Sequence, residues 1–188
     1  MIALACLFVL IAVAAATDFT RHKIYNWTTY PGVLIALALN ASAGVLESNG
    51  AVSDEQARRY LGAVGIEDSL AGLALCGGLM LVCYVLFRVG GGDVKLMAMM
   101  GAFLGVERGL EALLWTFVLA ACLGIIALAW KVGPGRLMAR VFRQGLYTLK
   151  IGGWAELSPE ERALMTFPWF LAPTALAAVI LVHSGLLR

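Results

Sequence analysis

The chain reads as an all-α, polytopic membrane protein of about six transmembrane helices. Three observations carry that reading. Hydrophobic residues fill 61% of the 188 positions and charged residues 14%, too little polar surface to cover a soluble domain of this size. The apolar residues fall in runs at roughly 1–17, 30–46, 69–87, 94–106, 110–130 and 163–187, most of them long enough for a helix to cross about 30 Å of hydrocarbon. The basic residues alternate from loop to loop, as a bilayer with a positive inside requires. Six spans and short loops use up the whole length, so residues 1–188 read as a single membrane-embedded domain.

The first run is expected to stay on the protein. Its end, AVAAAT at 12–17, has the small residues of a signal-peptidase site, but no Lys or Arg precedes position 21 to form the basic n-region such signals carry. The second run has Pro31 and Gly32 near its start, where a helix tolerates them. The fourth is short. It becomes a plausible span only if its helix starts near Asp93, which puts that carboxylate at or inside the membrane boundary. Glu107, Arg108 and Glu111 separate it from the fifth run as a charged turn, and Trp27, Trp115, Trp130, Trp154 and Trp169, which mostly sit near run ends, read as interface anchors.

Loops 18–29, 88–95 and 131–162 hold ten of the Lys and Arg residues and the rest of the chain holds four. The odd loops are therefore expected in the cytoplasm and both termini outside, with the basic stretch 131–150 lying near anionic lipid. The net charge of +2 gives no sign of a nucleic-acid partner; the partner that composition demands is the lipid bilayer. Cys6, Cys76, Cys83 and Cys122 all lie in apolar runs without a CxxC pair, and His22 and His183 are far apart. The cysteines are expected to be small buried hydrophobes, and no metal or other cofactor is expected.

Chemistry concentrates at two aspartates. Asp18 ends the first run and opens DFTRHKIYNWTTYP; Asp93 sits in RVGGGDVKLM, residues 88–97. Each alone fits an ordinary helix cap or turn aspartate. The expected topology, however, puts both at cytoplasmic helix ends, and ionisable groups at membrane depth are functional candidates. Two carboxylates that meet in a low-dielectric site do not both ionise readily, so one holds a proton while the other stays charged. Such a pair can activate a water and protonate a leaving amine. The glycines before Asp93 would let a substrate backbone approach closely. Lys95 fits equally a site role or plain positive-inside charge, Asn26 a substrate contact or a cap, and Met97, Met99 and Met100 fit core packing.

Gly90-Gly91-Gly92-Asp93-Val94-Lys95 resembles the GxGDxK motif of the type IV prepilin peptidases, membrane aspartic proteases. Asp18, with Ile24, Asn26 and Pro31, resembles that family's first-aspartate segment, D-x5-I-P-N-x4-P, with Tyr25 in place of the usual proline. Phe167-Pro168-Trp169-Phe170 is loosely similar to a Pro-aromatic stretch of the family, and the likeness is good over about 1–130. It implies a helical membrane enzyme that removes the leader of type IV prepilins or pseudopilins at the cytoplasmic face. Asp18 and Asp93 would be catalytic, and Gly90, Gly92, Lys95 and Asn26 would bind substrate or shape the site. The paired CxxC motifs of the larger, N-methylating members are absent. The chain resembles the short type of tight-adherence pilus systems, for which methylation is not expected. Two other readings compete. One is a non-catalytic assembly factor that binds pilin. The other is a presenilin-like GxGD protease, which pairs GxGD with Tyr-Asp, whereas Thr17 precedes Asp18 here.

Overall fold

The structure is a computed structural model and describes residues 2–21, 23–49, 60–87, 90–133 and 171–184. The described residues contain five α-helices and no strand: α1 (Ile2–Arg21), α2 (Asn26–Ser48), α3 (Ile66–Phe87), α4 (Gly91–Val132) and α5 (Leu171–Ser184). The first four are long and apolar enough to cross a membrane. The basic stretch 131–150 past Gly133, His22 and the Phe167–Phe170 stretch lie outside the described residues.

The all-α expectation holds, but the count of about six was imprecise. The runs at 94–106 and 110–130 belong to one element of 42 residues. A straight helix of that length would rise about 63 Å, twice a membrane's hydrocarbon. It is interrupted at Gly105, whose φ of 77° and ψ of −170° are not helical. Only glycine takes a positive φ of this kind without strain. The break therefore falls just before the charged residues read as a turn, while Glu107, Arg108 and Glu111 themselves are helical.

By its contacts the chain forms two compact units, Met1–Phe117 with Phe170–Arg188, and Val118–Trp169. The second is described over 118–133 and is helical as far as 132. There Cys122 is exposed, unlike the burial expected of it. The first unit holds the core. In it α1 packs on α2 and α5, and α2 packs on α3. Within a bilayer, lipid is as apolar as leucine, so helices associate through close packing and buried hydrogen bonds. Both are present. On α1 the buried residues are Ala3, Leu7, Ile11, Ala14 and Asp18, a stripe at helical spacing.

The first arm of α4, from Gly91 to the break, runs antiparallel to α3. Gly91 lies against Tyr84, Gly77 against Ala98, and Gly72 against Gly101. Small residues let the two backbones nearly touch. No residue from 92 to 105 is exposed, and Met97, Met99 and Met100 are fully buried, which fits the packing role expected of them. Met99 also fills the space above Gly32 of α2. Two polar links close the far end. The Ser69 hydroxyl donates to the Ala102 carbonyl at 2.6 Å. The Val106 N–H, freed by the break, donates to Asp68 at 3.2 Å, so α3 supplies the cap of the second arm. Asn40, buried within α2, accepts from the Val64 and Gly65 N–H groups at 2.9 and 3.2 Å and donates to the Ala36 carbonyl at 2.9 Å. It satisfies the backbone groups that precede α3, which apolar surroundings would otherwise leave costly.

Candidate active site

The site lies where α1 ends, α2 begins and α4 begins. Asp18 was expected in a loop. It is instead inside the last turn of α1, because the helix runs past the apolar run to Arg21. Its position four residues after Ala14 places it on the buried stripe, and only 8% of its surface is exposed. Asp93 occupies the first turn of α4 and is half-buried. The charge of Asp18 acts on Asp93, although the two come from different helices.

Asp93 does not cap α4 as an N-cap residue does. It sits three residues after Gly90, its own N–H donates to the Gly90 carbonyl at 3.1 Å, and its carboxylate accepts from the Gly90 backbone N–H. This is the return half of a capping box, in which the third residue reaches back to the residue before the helix. The reach explains Gly90. A Cβ there would stand 2.9 Å from Asp93 Oδ2, pressing on the carboxylate. Gly92 has a different duty. A Cβ there would stand 2.9 Å from the Cβ of Ile24, so the first turn of α4 lies against the short connector 23–25.

Asn26 does not cap α2. The cap position belongs to Tyr25, with extended φ and ψ of −83° and 140° and no side-chain cap bond. Asn26 opens the helix, and its Oδ1 accepts from Lys95 Nζ at 2.8 Å. Of the six residues singled out from the sequence, the structure pairs Asp93 with Gly90 and Lys95 with Asn26, sets Gly92 against the connector, and puts Asp18 at the end of α1 that leads into it.

Two residues at this end were missed. Lys95 Nζ lies 4.9 Å from the centre of the Tyr30 ring, within cation–π range. Tyr30 is one turn on from Asn26, so the (i, i+4) spacing was a signal available in the sequence. Thr28 is 2% exposed, and its hydroxyl has no hydrogen-bond partner among the described residues; no pattern pointed to it. No group of three or more His, Cys, Asp or Glu among the described residues is placed to hold a metal ion.

The family model described as the type IV leader peptidase family matches residues 4–125, a stretch that takes in α1, α2, α3 and most of α4. No curated protein and no solved structure matches the chain.

Proposed function

Because the chain belongs to the type IV leader peptidase family, we propose that it is an aspartic endopeptidase that cuts the leader from a type IV prepilin or pseudopilin. The cut is made at the cytoplasmic face of the inner membrane. The observation that carries this reading is that two carboxylates from separate helices stand at one end of the bundle: Asp18 is buried in the last turn of α1, and Asp93 is in the first turn of α4, which lies against Ile24 in the connector after α1. In the working state one of them is ionised and takes a proton from a water. The water adds to the scissile carbonyl. The other carboxyl, still protonated, gives its proton to the departing amine. Gly90 lets the Asp93 carboxylate fold back over the start of α4 and Gly92 lets that turn lie against Ile24, and Lys95 with Asn26 shapes the entrance.

Co-expression with a candidate prepilin tests the reading directly. The expected result is a faster-migrating, leaderless pilin on a denaturing gel. Unprocessed pilin at full expression of both proteins would refute it.

A shared site also requires a shared side of the membrane. Cysteines engineered into 22–25 and 88–90 should be labelled from the cytoplasm, as the ten-to-four division of Lys and Arg implies. Labelling of the two segments from opposite faces would separate the aspartates and end the two-carboxylate mechanism.

The pH dependence follows from the same pairing. Only the singly protonated pair contains both a base and an acid, so the rate should be bell-shaped in pH, with limbs that belong to the pair jointly. A cytoplasm-facing site works near neutrality, which puts the alkaline limb above pH ~6. Cleavage in nanodiscs, with substrate well below saturation, measures it. A rate that only climbs with pH would show that no protonated carboxyl takes part.

A further inference from the structure

Resting on the leader-peptidase reading, we propose that Tyr30 is a positioning residue. Together with Asn26 it grips the Lys95 ammonium and so fixes the rotation of the α4 first turn that aims Asp93 at Asp18. The geometry supplies each step. Lys95 Nζ donates to Asn26 Oδ1 at 2.8 Å and lies 4.9 Å from the Tyr30 ring centre. Both partners stand on the opening turns of α2. Lys95 follows Asp93 by two residues, which is about 200° around a helix of 3.6 residues per turn. The two side chains therefore leave α4 on nearly opposite sides. A hold on Lys95 from the α2 side sets the direction of Asp93 on the other.

The first turn of a helix needs such a hold. Apart from the Asp93 N–H, bonded to the Gly90 carbonyl, its N–H groups lack intrahelical partners, and the glycines at 90, 91 and 92 give the backbone at its start wide conformational freedom. Gly92 is stopped against Ile24, which limits translation toward the connector. The contact with Lys95 limits rotation. Tyr30 suits this use because it is 54% exposed and is not a core residue whose loss would empty a cavity. Other charged or titratable groups on the elements meeting here are Asp18 and Arg21 on α1, Lys23 and Tyr25 in the connector, and Tyr84 beside Gly91 on α3. Arg21 is engaged with the Tyr25 hydroxyl at 3.2 Å.

The test compares Tyr30→Leu with Tyr30→Phe, using a prepilin as substrate in nanodiscs and the whole pH–rate profile as readout. Two carboxylates held close split their ionisations widely, and the bell is broad. If Asp93 swings, the mean coupling falls, the two ionisations draw together and the bell narrows from both sides. Tyr30→Leu is expected to narrow the bell and lower kcat/KM about two- to fivefold, the size of an exposed cation–π contact. Tyr30→Phe keeps the ring and should restore both height and width. A mere loss of folded protein scales the bell without narrowing it, so a lower bell of unchanged width overturns the proposal, as does an unaltered one. Tyr30→Gln, also ringless, serves if the leucine variant does not fold. Cleavage by the wild-type protein with no effect of the ring overturns this proposal alone. No cleavage by the wild-type protein overturns the leader-peptidase reading and the positioning role with it.

Discussion

Asp18→Asn and Asp93→Asn are each expected to take leader cleavage down by at least ~10²- to 10⁴-fold, the range that a positioned acid or base contributes, and in a gel assay to below detection. The amide is nearly the same size as the carboxyl, so neither change opens a cavity at the 8%-exposed Asp18 or removes the turn of α4 around Asp93. What it removes is ionisation. An amide neither takes a proton from water at neutral pH nor gives one to an amine. Both variants should therefore insert in the membrane and elute from a sizing column in detergent as the wild type does, while the co-expressed prepilin keeps its leader. In the proposed mechanism the two roles belong to one shared proton, so the double variant should be no worse than either single one. Processing at the wild-type rate by either single variant would sink the two-carboxylate mechanism.

The second large effect concerns the scaffold. Gly101→Ala and Gly72→Ala should each cost about 3 kcal/mol or more, beyond the common range for an added methylene because backbone opposes it. A Cβ on Gly101 would run into the Gly72 carbonyl oxygen, with the Gly72 carbonyl carbon at 2.7 Å and the Cys76 Cβ at 2.9 Å. A Cβ on Gly72 would meet the Gly101 carbonyl oxygen and the Gly105 carbonyl carbon and oxygen, the last two at 2.7 and 2.8 Å. No side chain can turn aside here; the helices must part. That would also slacken the Ser69 and Asp68 links to α4. Gly78→Ala is the control on the same helix, since a Cβ there meets nothing within 4 Å, and alanine favours the helix. Thermal unfolding in detergent should rank Gly78→Ala at or above the wild type and the other two well below. Equal midpoints for Gly72→Ala and Gly78→Ala would mean that α3 and α4 are not in contact through their backbones.

Much of this was legible in the sequence because membrane spans announce themselves by composition. The spans α1, α2 and α3 follow the runs that predict them, and the motif residues lie at the end of α1, the start of α2 and the start of α4. Helix ends were less legible. The polar residues after Thr17 look like loop, yet backbone hydrogen bonding carries α1 on to Arg21, and this extra turn is what brings Asp18 onto the buried stripe. The spacing from Ala3 to Ala14 could have shown it, since Asp18 continues the same face. The charges at 107–111 misled in the opposite direction, for they belong to the helix, and the interruption is a single glycine just before them. The link between Asn26 and Lys95 spans 69 positions. No local pattern reports such a pairing, and the position of Tyr30 beneath the ammonium depends on it.

The first arm of α4 is short in a way that matters for the lipid around the protein. From Gly91 to Leu104 it rises about 21 Å, some 9 Å less than a typical hydrocarbon thickness. A helix facing lipid with such a mismatch would have to thin the bilayer or change its own tilt. This arm faces α3 and α2 instead, with no exposed residue from 92 to 105. Its depth is therefore referenced to its neighbours and not to the acyl chains. The separation of Asp93 from Asp18 should be the same in thin and thick membranes, and variation in lipid chain length is absorbed by the outer surfaces of the other helices.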